Sequence, residues 1–289
     1  MDFEWYDLQT KNNYIKNAGI LVIVNIENIE CYMQLDTGCP VTFIMDYFIN
    51  DNNLFKKNKL LLDTEIFGTP SLSYFENIQI KYDNELKFNI PKCFIEDDLT
   101  KEEREKKKEK VISKRKLPFA GFLGNDIFTN GFFSIDFPKK NISFTASTNN
   151  YNSYSNIIVE NGDIIIPIQL NNFKLNLVFD VATADTDIIL KNSTFKKIFK
   201  KQKNKLRYNN ISRPDFIFRS YYTFEETQIN INTIITKKRI RIETPDKKTN
   251  KYFFQNSNQD GILGTKLLRE KIIHIDLINK KFFLSDDYK

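Results

Sequence analysis

The chain has 289 residues, 41% of them hydrophobic, which suits one large domain or two lobes with a buried core. The net charge is +6, and no apolar run approaches the roughly 18 residues needed to cross a membrane. His274 is the single histidine, so a histidine-rich zinc site is excluded and any histidine-dependent nucleophile would have to use it. There is no glycine-rich phosphate loop, and the sequence predicts neither a metal nor a cofactor.

The first residues, MDFEW, are acidic and polar and lack the basic head and apolar stretch of a signal peptide. We therefore expect a soluble protein in the cytoplasm. The cysteines Cys31, Cys39 and Cys93 are odd in number and widely spaced, which also favours reduced thiols over a disulfide framework.

The first half begins with an apolar strand at 21–26, a tight turn at Glu27-Asn28 and a second strand that runs into the sequence LDTG at 35–38. A short helix or loop should follow, and then further strands. Between these strands, IFGTP at 66–70, with Phe67 and Gly68, is a candidate for a mobile hairpin tip. Residues 101–116 hold nine lysines and arginines against four glutamates and are expected to form an exposed insertion.

The chain contains an internal repeat. Residues 20–44 align without a gap on 164–188 at a shift of 144, and residues 121–145 align on 261–285 at a shift of 140. The sequence therefore predicts two duplicated β lobes, 1–150 and 151–289, related by a pseudo-twofold axis. The Asn- and Ser-rich stretch at 148–156 reads as the linker between them.

Each half carries an aspartate directly after a strand, Asp36 and Asp180, and later an apolar pair followed by glycine. The two motifs are FLG at 122–124, which ends in Leu123-Gly124, and ILG at 262–264, which ends in Leu263-Gly264. This combination resembles the tandem retropepsin-like and pepsin-like aspartic proteases, and it covers most of both halves. The resemblance implies an all-β, bilobal fold in which the aspartate loop and the apolar-Gly strand of each lobe cross as a psi-shaped motif, with a cleft between the lobes.

The resemblance also implies roles for the residues after each aspartate. Thr37 should send its hydroxyl to the opposite loop, and Gly38, Cys39 and Thr183 should support the carboxylates. The second loop departs from the pattern, because Val181 has no hydroxyl and Ala182 replaces the glycine. Cys39 is also a poor donor.

The implied activity is that of an aspartic endopeptidase. Asp36 and Asp180 would activate a water that attacks the peptide bond, and an extended peptide or protein substrate would lie in the cleft and pair with the flap. The alternative is a catalytically impaired homologue that binds peptides or proteins. A weaker alternative is a nucleic-acid or membrane-surface binder using basic segments such as 196–207, but this segment fits a structural helix and we consider nucleic acid unlikely.

Three further polar residues, Asp136, His274 and Asp276, lie in the second of the two repeated blocks. Asp136 and Asp276 repeat between apolar strands beside a hairpin and are interpreted as structural. His274 aligns with Ser134, so it is predicted to be non-catalytic.

Overall fold

The structure, a computed structural model, describes twelve segments of the chain: 1–9, 14–54, 60–62, 72–82, 86–96, 116–128, 131–145, 155–199, 206–212, 217–231, 234–254 and 258–285. In these segments the protein is mostly β-structure, arranged in three sheets. The predicted boundary at residue 150 and most of the predicted linker lie outside the described residues. The division into 1–150 and 151–289 therefore stays a prediction.

The first half forms an eight-stranded sheet. Its strands are β1 (Phe3–Gln9), β2 (Tyr14–Ile26), β3 (Ile29–Leu35), β4 (Phe43–Met45), β5 (Leu60–Leu62), β6 (Leu72–Lys81), β7 (Lys87–Glu96) and β8 (Phe119–Leu123). Their order is β1-β2-β3-β8-β4-β7-β6-β5, and β2 also pairs with β6, so the sheet curls back on itself. The predicted turn is present, because Glu27 and Asn28 have positive φ angles between β2 and β3.

The second half repeats this arrangement. Its strands are β12 (Ile158–Glu160), β13 (Asp163–Leu170), β14 (Phe173–Asp180), β15 (Ile188–Leu190), β16 (Arg207–Ser212), β17 (Ile217–Ile231), β18 (Ile234–Pro245) and β19 (Gly261–Gly264). Their order, β12-β13-β14-β19-β15-β18-β17-β16 with an added β13–β17 pairing, matches the first sheet strand by strand. The predicted bilobal, duplicated β fold is confirmed.

A third sheet joins the halves. It contains β9 (Phe132–Asp136), β10 (Asn141–Thr145), β11 (Ser155–Asn156), β20 (Ile272–Asp276) and β21 (Lys281–Ser285) in the order β10-β9-β20-β21-β11. At its centre β9 and β20 are antiparallel, and Ser134 lies directly opposite His274. These two residues are also each other's counterparts in the sequence repeat. A residue that faces its own repeat marks the pseudo-twofold axis, which therefore passes between Ser134 and His274.

Helices are short and few in the described segments. The α-helices are Asp46–Asn52, Asn192–Ile198 and Lys247–Phe254, and the 3-10 helices are Asn125–Phe128 and Thr265–Leu268. The first two α-helices occupy matching places after each aspartate loop, where a short helix or loop was predicted. One hydrophobic core runs through both halves, with Leu35 and Phe179, the residues before the two aspartates, fully buried.

Asp136 and Asp276 support the closing hairpins. The Asp136 carboxylate accepts the backbone N–H of Lys139 at 2.9 Å, and that of Asp276 accepts the N–H of Asn279 at 2.9 Å. Both turns then contain a lysine with positive φ, Lys140 and Lys280. These contacts agree with the structural role expected for the two aspartates, since Asp commonly bonds to turn backbone a few residues on.

His274 is buried at the pseudo-twofold axis. Its Nδ1 lies 2.7 Å from the Ser134 hydroxyl and its Nε2 lies 2.9 Å from the Ser285 hydroxyl, and the ring stacks on Phe283. Burial lowers the pKa of His274 to about 4, although the charge of Asp136 acts in the opposite direction. The neutral ring is therefore a structural group at the junction of the halves.

This burial predicts a pH-dependent stability. The unfolded chain binds a proton at His274 below about pH 6.5 and the folded chain only below about pH 4, so the free energy of unfolding should fall by about 3 kcal/mol as the pH drops across that window. Above pH 6.5 this contribution is fully present. Urea unfolding of wild type and His274→Gln from pH 4 to 7 measures it. The difference between the two curves should change with pH, and parallel curves would contradict the assignment.

Candidate active site

Two loops with the same construction lie at the ends of β3 and β14. In the first half β8 runs parallel to β3 and antiparallel to β4, so it lies between the strand that enters the Asp36 loop and the strand that leaves it. In the second half β19 lies in the same way between β14 and β15. Leu123 pairs with Leu35, and Gly264 pairs with Asp180. This crossing is the psi-shaped arrangement that the sequence resemblance implies.

The glycines of the two apolar-Gly motifs sit where no side chain fits. A Cβ on Gly124 would lie 2.2 Å from the carbonyl oxygen of Val41, and a Cβ on Gly264 would lie 2.1 Å from that of Thr186. Both clashes are with backbone atoms of the neighbouring aspartate loop. Glycine at these places lets the crossing strand approach the loop closely enough to fix its shape.

Thr37 connects the two loops. Its buried hydroxyl donates to the carbonyl oxygen of Phe179 at 2.8 Å and accepts the N–H of Val181 at 2.9 Å. These two backbone groups flank Asp180, so one side chain of the first loop holds the backbone on both sides of the second aspartate. Val181 is fully buried and has no hydroxyl to return the interaction.

Asp180 is held by its own loop. One carboxylate oxygen accepts the N–H groups of Ala182 at 2.7 Å and Thr183 at 3.2 Å, and the other accepts the Thr183 hydroxyl at 2.5 Å. Ala182 is not among the described residues with positive φ, so the alanine sits in ordinary backbone at this position. The loop therefore keeps its donors to the carboxylate although two of its residues depart from the family pattern.

Asp36 lies at the matching position and is partly exposed. Its carboxylate accepts the N–H of Gly38 at 3.0 Å, and its backbone N–H donates to Leu123 on β8 at 2.9 Å. Gly38 itself lies against the other aspartate, because a Cβ there would be 2.8 Å from Cγ of Asp180. The two aspartate loops are thus in direct contact across the pseudo-twofold axis.

The Cys39 side chain bonds to the backbone of its own loop. Its thiol donates to the carbonyl oxygen of Val41 at 3.1 Å. Burial raises the pKa of the Cys39 thiol, and the negative charge of Asp36 adds to this effect. The thiol is therefore uncharged at neutral pH and braces the loop backbone. In the second loop, by contrast, the Thr183 hydroxyl bonds to the Asp180 carboxylate.

The chain is similar to the crystal structure of an aspartic proteinase from Irpex lacteus, with a TM-score of 0.55 over 93% of this chain and 94% of the other, at 11% sequence identity. The fold is that of a bilobal aspartic proteinase. No protein-family model matches the sequence, and no curated protein matches it significantly.

Within this aspartic-proteinase fold, two residues that the sequence did not single out connect the halves beside the aspartate loops. The Asn125 side-chain amide donates to the carbonyl oxygens of Thr37 at 2.6 Å and Gly162 at 3.0 Å. On the other side, the Arg269 guanidinium donates to Asn17 at 3.0 Å and to Ala184. Neither residue is repeated in the other half, so the alignment of the halves could not reveal them.

Asp163 is a third carboxylate near this centre. It follows the turn Asn161-Gly162, and a Cβ on Gly162 would meet Pro40 of the first aspartate loop at 2.4 Å. Burial, with the charges of Asp180 and Glu160, raises the pKa of Asp163 to about 6. Its counterpart in the first half is Gly19, so the repeat gave no signal for it.

Two segments predicted to lie near the site fall outside the described residues. The flap candidate at 66–70, with Phe67 and Gly68, lies outside the described residues, although β5 and β6 on either side of it form an antiparallel pair. Residues 101–115 of the basic insertion also lie outside them. In the described segments no three histidine, cysteine or acidic side chains are grouped as metal ligands, and no helix is long and apolar enough to span a membrane.

Proposed function

We propose that the protein is an aspartic endopeptidase whose two catalytic carboxylates are Asp36 and Asp180. The observation that carries this proposal is the interlocking of the two loops, in which Thr37 holds both sides of Asp180 and Gly38 lies against its carboxylate. Such contact is what a pair acting on one water requires, because the reacting groups must be held in a fixed relation.

In the proposed reaction one carboxylate of the pair is ionised and the other keeps a proton, since two facing carboxylates do not both ionise cheaply at short range. The ionised group takes a proton from a bound water, the water oxygen attacks the peptide carbonyl carbon, and the neutral group donates its proton to the carbonyl oxygen. The pair titrates jointly, so neither role is assigned to one aspartate.

The proposed substrate is an extended peptide or an unfolded protein segment bound between the halves. A peptide in extended form offers backbone groups that can pair with a strand or hairpin lying over it. No covalent intermediate and no histidine are needed, which is consistent with the structural role of His274 at the interface of the halves.

A second candidate function is peptide binding without cleavage. The observation that favours it is that hydrogen bonds between the two loops come from Thr37 of the first loop alone at these matching positions. Val181 is buried where the family pattern has a second hydroxyl. The first loop therefore lacks the hydrogen bond that Thr37 provides to the second. A small displacement of a catalytic carboxylate lowers the rate of cleavage strongly. A cleft of unchanged shape can still bind a peptide.

Restoring the second loop separates the two candidates. Val181→Thr with Ala182→Gly should raise kcat/KM on a peptide library by about ten- to a hundredfold if the missing brace limits an active enzyme. Cleavage is measured from acidic to neutral pH, with Thr183→Val as the matched control that removes the hydroxyl on Asp180 and should lower activity. If wild type and restored variant both bind peptides and neither cleaves them, peptide binding is the function.

A further inference from the structure

A charged cavity of about 220 Å³ lies beside the second aspartate loop. Four cationic and two acidic side chains line it: Arg239, Arg241, Lys266, Arg269, Asp187 and Glu270. A cavity with this lining suits a small anionic group, because cations outnumber acids on its wall.

The cavity is placed at the same edge of the sheet as Asp180. β14 and β19 are parallel, and Asp180 pairs with Gly264 at their ends. Asp187 follows the first of these ends, and Lys266 and Arg269 follow the second. Arg269 also donates to Ala184 of the aspartate loop and to Asn17 of the first half, so the cavity adjoins the junction of the halves.

The cations of the cavity differ in how they are held. Arg241 lies 3.0 Å from Glu243 and 3.6 Å from Asp185 and stacks on Tyr222, so its charge is largely compensated. Arg239 is exposed and stacks on Phe224 with its guanidinium carbon 5.4 Å from the ring centre.

Two charges remain available in this cavity, those of Arg239 and Lys266, because Arg269 stacks on Trp5 and donates to the carbonyl oxygens of Asn17 and Ala184. In the described part of the chain no carboxylate lies within ion-pair distance of Arg239, Lys266 or Arg269. In addition, the Nε atoms of Arg241 and Arg269 are buried and make no hydrogen bond. Donors left without an acceptor around a cavity favour a ligand that brings one.

The first half has an apolar cluster in the matching place. The β4–β7 pairing puts Phe94 where β15–β18 puts Arg241, and Phe43 stands where Asp187 stands. Phe94 packs against Phe43 and Tyr74, and Lys92 lies over Tyr74 at 5.3 Å, as Arg239 lies over Phe224. The duplicated halves therefore offer an aromatic surface on one side and a cationic cavity on the other.

We propose that this cavity binds an acidic side chain of the extended peptide, so that the protein selects peptides with an aspartate or glutamate at one position on the second-half side of the candidate active site. The inference rests on the proposed peptide cleft and adds its selectivity. A carboxylate would take donors from Arg239 and Lys266, and its desolvation would be offset by charge-assisted hydrogen bonds.

Peptide binding to the Asp36→Asn variant tests this without cleavage. The probes are fluorescent peptides of about eight residues in matched pairs that differ only by Asp against Asn, or Glu against Gln, at each position in turn. At low salt the acidic member should bind roughly tenfold more tightly at one position or two neighbouring positions, and added salt should reduce the ratio. Adding Arg239→Gln should bring the ratio to threefold or less.

The matched control is Lys92→Gln, which removes the corresponding cation over Tyr74 in the first half and should leave the ratio unchanged. Thermal unfolding checks that each variant folds. Equal binding of acidic and neutral peptides at every position would overturn the inference and leave the peptide cleft intact, as would an acidic preference that survives Arg239→Gln. If no peptide in the set binds, both the inference and the proposed cleft fall.

Discussion

Asp36→Asn and Asp180→Asn should each lower kcat/KM for an unfolded protein substrate by at least about a thousandfold. Each substitution removes one member of a pair in which one group must be ionised and the other must hold a proton, and an amide can do neither. Because the pair acts as a unit, the double variant should be little slower than either single one. Cleavage is followed by the appearance of new peptide amino groups, and circular dichroism shows whether each variant keeps its β-structure.

The outcomes for the two aspartates distinguish different arrangements. Full activity in Asp180→Asn would show that Asp36 does not work with Asp180, and a homodimer using two copies of Asp36 would then be the better explanation. Multiplicative losses in the double variant would show independent roles. A suitable control is Asp136→Asn, since that carboxylate accepts the N–H of Lys139 in a hairpin and should not affect cleavage beyond a small change in stability.

Thr37→Val should lower the free energy of unfolding by about 4 kcal/mol. The two side chains have nearly the same shape, but valine leaves the Phe179 carbonyl and the Val181 N–H buried without partners, and each such group costs about 1–3 kcal/mol. The effect should be concentrated where the halves meet, because these are hydrogen bonds between residues 142 and 144 positions apart. Urea unfolding measures the change.

Thr37→Ser is the control for this prediction, because serine keeps the hydroxyl and loses one methyl group. It should retain most of the stability that Thr37→Val loses. A loss below 1 kcal/mol for Thr37→Val would mean that the hydroxyl does not bridge the loops in solution. Equal losses for the two variants would point to the methyl group and its packing as the source.

Much of the fold could be predicted because the sequence contains an internal repeat, so each half supports the interpretation of the other. The gapless shift of 144 placed Asp180 opposite Asp36 in the repeat, and the strands that carry them end at these residues or one before. The repeat of Ser134 on His274 indicated that His274 is non-catalytic, and only the structure shows that the two residues face each other at the pseudo-twofold axis. The asparagine-containing links between two apolar runs, at Glu27-Asn28 and Asn171-Asn172, were enough to predict the first hairpin of each half.

The rest of the site is made of contacts that occur once. Asn125 reaches Gly162 of the other half, and Arg269 reaches Asn17, and neither pairing has a repeated counterpart or a local sequence signal. The cationic cavity takes Arg239 and Arg241 from β18, where the repeats do not align, and Lys266 and Arg269 from the aligned segment after β19, where the first half has residues of other types. Such sites depend on which distant residues the order of strands in the sheet brings together. The periodicity of a single sequence does not indicate these long-range contacts.

The central claim is that the Asp36 and Asp180 carboxylates are coupled, and a carbon-13 NMR titration of the Asp36 carboxyl group tests it most directly. In wild type the signal should follow two steps separated by more than one pH unit, because the protons of interacting acids leave in two macroscopic stages. In Asp180→Asn it should follow a single step. The same single step in both proteins would contradict the claim, whatever the protein cleaves.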